Sequence, residues 1–430
     1  MRIDQRIFTA FFLFAAAQHA SAEFIPLGDL PGGAFFSRAQ GVSADGSVVV
    51  GASASDSGLF DAFRWTRPAG MVRLGSLPTS AFYFSTAIAA SGDGSVVVGA
   101  SDISQGNLAA FRWTQVTGLS LLGFLPGGTD SVARAVSLDG SVIVGFSNSQ
   151  AFRWTEPEGL VGLGGISSAA FGVSGDGSVV VGYSVAANGT EAFRWTQQTG
   201  LVGLGDLGGA AFHSEARAVS LDGSVIVGAS DSAGPRQEAF RWTQTSGMVG
   251  LGDLVGSSAS IALAVSADGS VIVGDSYANF DPSQHIAFIW DSSSGIRSLR
   301  DVLIGQGDDL TGWILNQAMG ISADGETIVG AGFNPAGQPE GWLARLGAQP
   351  IPEPSSVVLL GFGILVLLRF QGRNENRVSS GTDNLRRSVT QSPRALAQPE
   401  RGIYCFDAQR KQTCSDLRSG ANCLCIGGYC

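Results

Sequence analysis

Histidine is scarce in this chain: three occur in 430 residues, at His19, His213 and His285. No Ser-His-Asp set, no HExxH pair and no phosphate-binding loop can be picked out, so the common catalytic and metal signatures are missing. Charge is thin as well, with 14% of residues ionisable against about a quarter in an average domain. The five cysteines are confined to Cys405, Cys414, Cys423, Cys425 and Cys430, which leaves the body without thiol ligands or disulfides. The Cys-x-Cys spacing with no histidine beside it matches no common zinc motif. No window carries a capped apolar stripe of helical length, which argues against helical repeats. With 61 glycines, isolated GxG matches carry no weight as nucleotide signals.

What remains is acidic. The net charge is −10, although the segment from Arg369 onward holds ten Lys/Arg against five Asp/Glu. An acidic body lacks the electrostatic footprint of a nucleic-acid binder. The first 22 residues have the form of a secretory signal: basic Arg2 and Arg6, an apolar run from Ile7 to Ala17, and small residues Ala20 and Ala22 at the cleavage position. Export is therefore expected, with a mature chain starting at Glu23.

The body is repetitive. "ARAVSLDGSVIVG" occurs verbatim from Ala133 and again from Ala216, and looser copies bring the total to seven. Aligned on Asp45, Asp93, Asp139, Asp176, Asp222, Asp268 and Asp324, they are spaced by 48, 46, 37, 46, 46 and 56 residues. Periods in the forties belong to propeller blades or helical repeats, and the β-branched, glycine-bounded runs select strands. Each copy reads as four: "ARAVS", a turn at Asp-Gly, "SVIVGAS", "AFRWT" and "MVGLGDL", to use the fifth. The fourth type follows only six of the seven copies, yet "FIPLGDL" (Phe24 to Leu30) opens the mature chain unattached. A ring pairs that strand with the last three and leaves no free edge. The expected fold is all-β: a seven-bladed β-propeller closed by the N-terminal strand, within residues 23–348, with a β-helix or β-sandwich array as the alternative.

"AF-x-W" strands paired with "S-x-D-G-x-x-V-V-G" resemble the bacterial extracellular HAF repeat. The histidine that names that family is replaced here by Asp61, Ala109, Gln150, Glu191, Glu238, Ile286 and Glu340. The resemblance implies an extracellular location and carries no enzymatic activity with it. At the other end, Pro352, Glu353 and Pro354 precede an apolar run from Val357 to Leu368 and then Arg369. This resembles a PEP-CTERM sorting signal, spanning 349–373. It implies export across the inner membrane of a Gram-negative bacterium, a transient membrane anchor, cleavage by an exosortase-type enzyme after signal peptidase, and a cell-surface or extracellular destination among exopolysaccharide. Residues 374–430 read as a disordered, Cys-containing tail.

No catalytic, cofactor or metal residue is assigned from the sequence. The Asp of each DGS reads as a hairpin-turn residue, and Arg64, Arg112, Arg153, Arg194 and Arg241 of the AFRW strands as links between blades. Loop length varies at the end of the ring where second-to-third and fourth-to-first connections gather. Phe35, Phe36, Tyr83, Phe84, Tyr277, Phe280 and Trp313 are the expected ligand-facing aromatics there, since flat rings stack on sugars. The expected role is a non-catalytic binding or structural component of the extracellular polysaccharide matrix. The alternative, a propeller glycoside hydrolase or lyase, requires converging acids such as Asp308 and Asp309.

Overall fold

The structure is a computed structural model that describes residues 22–347, apart from 57–58, 78–83, 105–106, 210, 234–236 and 279–283. The expected secretory leader up to residue 21, the expected sorting signal and the cysteine-bearing tail lie outside the described residues.

The described strands form antiparallel meanders of four. Five are separate four-stranded sheets, and one eight-stranded sheet is two such meanders joined by two parallel residue pairs, Gly189–Phe212 and Thr190–His213. In the first meander the strands are Ser37–Val42, Val48–Ala54, Phe60–Thr66 and Gly70–Gly75. The last meander has three consecutive strands, Ile314–Ile321, Thr327–Phe333 and Pro339–Arg345. Its fourth is Glu23–Pro26 from the other end of the body, with Glu23 opposite Arg345 and Pro26 opposite Trp342. The strand stops earlier than "FIPLGDL" suggests, but Leu27 and Leu30 continue into the apolar gap between the last and first sheets.

The fourth strand of the sixth unit, which the repeat pattern would run over Ile296–Leu303, is different. Only Gly295–Ser298 pairs, after which Leu299–Gly305 turns into a helix. Ser298 caps it by accepting the Asp301 N–H, and Leu299 and Leu303, one turn apart, drop into the neighbouring core.

Each sheet is apolar on both faces because it packs between two others. The Phe of every "AF-x-W" strand and its counterpart Trp342 are fully buried. The apolar clusters straddle consecutive sheets: Val48, Val50 and Ala62 of the first pack on Ala87, Val97 and Phe111 of the second. Val49 and Phe63 pack likewise on Val329 and Leu343 of the last.

Two polar devices repeat at these joints. Near the start of six of the seven inner strands a buried serine bridges two sheets, and Asn316 stands at that position in the seventh, donating to the His285 carbonyl. Ser131 Oγ accepts the Ala110 N–H at 2.9 Å and donates to the Gly123 carbonyl at 2.8 Å. Ser37 does the same between last and first sheets, accepting from Gly341 and donating to Gly28 just beyond the N-terminal strand. Near the Asp-Gly turns a relay of backbone bonds passes from sheet to sheet: Gly92 donates to Leu138, Leu138 to Gly175, Gly175 to Leu221, and so on until Ala323 donates to Ala44. Ser131→Ala would strand the buried Ala110 N–H, at a cost of about 1–3 kcal/mol, and would free a half-buried carbonyl that water can partly satisfy. The expected result is a lower denaturant midpoint with an unchanged slope; an unchanged midpoint would remove the bridge from the stability argument.

Candidate functional site

The Asp-Gly turns are self-contained. Asp139 Oδ1 accepts from Ser137 Oγ at 2.7 Å and from the Ser141 N–H at 3.0 Å, while Ser137 Oγ accepts the Val142 N–H. The hydrogen bond from Ser137, then those from Ser141, hold this carboxyl below the usual aspartate range. Asp176, Asp222 and Asp268 are held down in the same way. Their lone pairs serve the turn itself. Among the described residues no group of three or more His, Cys, Asp or Glu is placed to hold a metal ion.

The AFRW arginines do not converge. Arg64 Nε donates to the Gly94 carbonyl in the Asp-Gly turn of the next sheet, at 3.3 Å, and Arg153 reaches Glu158 at 3.4 Å. Three of the four acids standing at the missing histidine position have a role the sequence did not disclose, while the fourth, Asp61, pairs with Arg73 at 2.9 Å. Glu340 accepts the Gly28 N–H, Glu191 that of Gly205 and Glu238 that of Gly252, each fastening the bend after a fourth strand. The signal was present: an acid paired with "LGD" in three units.

At the variable-loop end the expected aromatics divide. Phe36 and Phe84 are half-buried and are brought together by a third ring, Phe60, which the sequence reading missed because it precedes the repeat. The centroids of Phe36 and Phe60 are 4.7 Å apart, and Phe60 meets Phe84 nearly edge-on at 6.5 Å. Exposed Leu59 adjoins them, and Phe35 lies half-buried beside Phe36 in sequence. Two expectations are corrected. Trp313, only 9% exposed, packs edge-on against Phe24 at 4.9 Å and belongs to the core under the closing strand. Tyr277, 3% exposed, stacks on His285 at 4.5 Å, and His285 in turn bonds buried Asp275. Both rings fill space that irregular loops would otherwise leave empty. Tyr83 and Phe280 lie outside the described residues.

The acids required by the hydrolase alternative are not paired. Asp308 sits against the backbone of Phe24 beside Glu23, with burial pushing its carboxyl up, whereas Asp309 accepts from Thr311 in its own turn and is held low. Asp253 is also pushed up, first by burial and then by the nearby Glu238, but Glu238 is engaged at Gly252.

No protein-family model matches the chain, and no curated protein matches it. Solved structures do. TolB from Acinetobacter baumannii is similar over 59% of this chain, at 13% identity and a TM-score of 0.41, and the match spans 63% of TolB. The β-propeller domain of the Trilobed protease from Pyrococcus furiosus, described as having an open velcro topology, is similar over 74% of this chain and all of that domain. Its identity is 12% and its TM-score 0.47. An oligogalacturonate lyase in complex with manganese gives 12% identity and a TM-score of 0.47 over 76% of this chain and 98% of the lyase. On its own topology, successive four-stranded meanders packed face to face with the last against the first, this chain is a β-propeller.

Proposed function

We propose that the protein is an exported, surface-directed propeller that binds or organises extracellular polysaccharide without catalysis, released by signal peptidase and then processed by an exosortase-type enzyme. The observation carrying the binding surface is the group Phe36, Phe60 and Phe84. Three rings from two adjacent sheets gather where loops vary, on a frame fixed by the serine bridges, and partly exposed aromatic faces suit the apolar faces of sugars. The resemblances at the two ends of the chain supply the location: a leader up to Ala22 and a sorting segment around Pro352–Arg369.

The test is a polysaccharide pull-down with protein purified from the producing bacterium. Phe36→Ala and Phe84→Ala should each weaken retention about tenfold, the loss expected of a stacking contact worth about 1–1.5 kcal/mol. The intact mass of the same preparation should correspond to a chain beginning at Glu23. Retention unchanged in both variants would sink the binding surface; release of sugar fragments during the incubation would replace the reading with an enzymatic one.

A further inference from the structure

The inner strands of the seven meanders present a homologous position to the axis of the ring. It is occupied by Gln40, Ile88, Arg134, Phe171, Arg217, Leu263 and Met319, which line an axial cavity of about 330 Å³. Most of these are apolar, as a channel packed by small and branched residues requires. The exceptions are Gln40, whose amide bonds Thr86, and the two arginines.

Both guanidinium groups lie near one ring. Arg217 is 4.6 Å and Arg134 5.6 Å from the Phe171 centroid, and Arg134 is also 5.6 Å from Phe146. Arg217 is paired with Glu215 at 2.5 Å, and Glu215 is in turn 3.5 Å from His213. Among the described residues no carboxylate lies within ion-pair distance of Arg134, and the Nε atoms of Arg134 and Arg217 have no hydrogen-bond partner. Arg38 adds another cation to the same inner strands, bonded to the Gln317 amide oxygen at 2.8 Å and set beside Met319 of the cavity wall. Burial, and then the neighbouring Arg217 cation, push the Arg134 guanidinium below its ordinary range.

Arg134 is a half-buried cation with no acidic partner among the described residues, and a charge so placed is normally paired or replaced by an apolar residue. Stacking on Phe171 and Phe146 offsets part of the burial cost, but it engages the flat faces of the guanidinium and makes no hydrogen bond with its in-plane N–H groups. Such forks match an oxyanion by two-point hydrogen bonding. The overall charge of −10 does not draw anions to the molecule, so any attraction is local to this channel.

We infer that Arg134 and Arg217 form a binding site for a small oxyanion, a carboxylate or phosphate group, inside the axial cavity. This site stands apart from the loop-end aromatics and does not depend on them. Its ligand is either a free ion or the carboxylate of an acidic sugar.

The test is thermal unfolding of the full mature chain with sodium phosphate, sodium acetate or sodium glucuronate, each against chloride at matched ionic strength. The wild-type protein should melt at higher temperature with at least one probe. A response to phosphate or acetate marks a free-ion site, and a response to glucuronate alone marks a sugar-acid site. Arg134→Met should melt above wild type in chloride, because it removes an uncompensated cation, and should lose the response to the probe. Should Arg134→Met fail to fold, Arg134→Lys carries the test, since it keeps a charge but loses the fork; apparent affinity should fall about tenfold or more. A wild-type protein indifferent to all three probes, or a folded variant that responds as wild type does, overturns the site.

Discussion

Gly228→Ala is expected to collapse the stability of the ring, whereas Gly200→Ala is expected to be tolerated. Both replace a glycine by the smallest side chain, but the two positions differ in what that side chain meets. A Cβ at Gly228 would lie 1.9 Å from the Glu215 carbonyl oxygen and 3.0 Å from the Ala216 Cα, both backbone atoms of the inner strand. That strand is bulged between Ala216 and Ala218, which drives its carbonyl towards the second strand. Neither atom can rotate away, so relief requires parting the two strands. The same close approach recurs at Gly145 with Val132 and at Gly51 with Arg38, and it explains why the runs "SVIVG" and "SVVVG" end on glycine. Gly200 has φ +65° and nothing within 4 Å of its hypothetical Cβ. Its substitution costs only the left-handed backbone strain, about 1–2 kcal/mol. Gly228→Ala should exceed about 4 kcal/mol, in the range reserved for broken cores. Denaturant unfolding of the two variants side by side measures the difference; equal midpoints would refute the close-approach account.

Removing residues 23–30 is the second large effect. The truncated chain would lose the pairing of Glu23–Pro26 with Pro339–Arg345. It would also lose Leu27 and Leu30 from the gap between last and first sheets, and Phe24 from its place against Trp313 and Trp342. Each buried leucine alone is worth about 2–5 kcal/mol, and a whole domain has only about 5–15 kcal/mol to lose. The strand Pro339–Arg345 would also become a bare edge, a template for pairing with a second molecule. The expected result is a melting temperature lower by ten degrees or more, about the shift that several kcal/mol produce, together with concentration-dependent association. Residues 23–30 supplied as a peptide should reverse part of both changes by adding back the missing strand. A monodisperse truncated protein melting within about two degrees of the parent would show that the ring does not depend on this strand.

The two effects differ in how early they could be read. The orphan strand was legible because the units could be counted: six fourth strands for seven repeats, and one strand left over at the start. The glycines of "SVIVG" could be seen to repeat, but not why. Their constraint comes from a carbonyl thirteen residues earlier in Gly228's case, across a bulge that period-two patterning does not reveal. The serine bridges were hidden for a similar reason. Ser131 looks like an ordinary small strand residue until the strand of the previous sheet is beside it.

The candidate site was less legible than the frame. Phe36 and Trp313 both sit in loops rich in glycine and polar residues, yet one lies in a half-exposed group of rings and the other fills the core. Hydrophobicity cannot separate them, because burial of a loop side chain depends on which distant strand passes over it. Arg134 and Arg217 belong to the verbatim repeat, so the sequence shows that they are equivalent. It does not show that Phe171 stands between their sheets and that both cations approach it.

By itself the sequence determined the strand units, their turns and the joining of the two ends of the body, because these follow from short-range periodicity and from identical neighbours packing on one another. Only the tertiary structure decided which aromatics remain in contact with solvent, which acids fasten bends, and where two arginines meet on one ring. Those outcomes depend on contacts between segments far apart in the chain, and no local pattern encodes them.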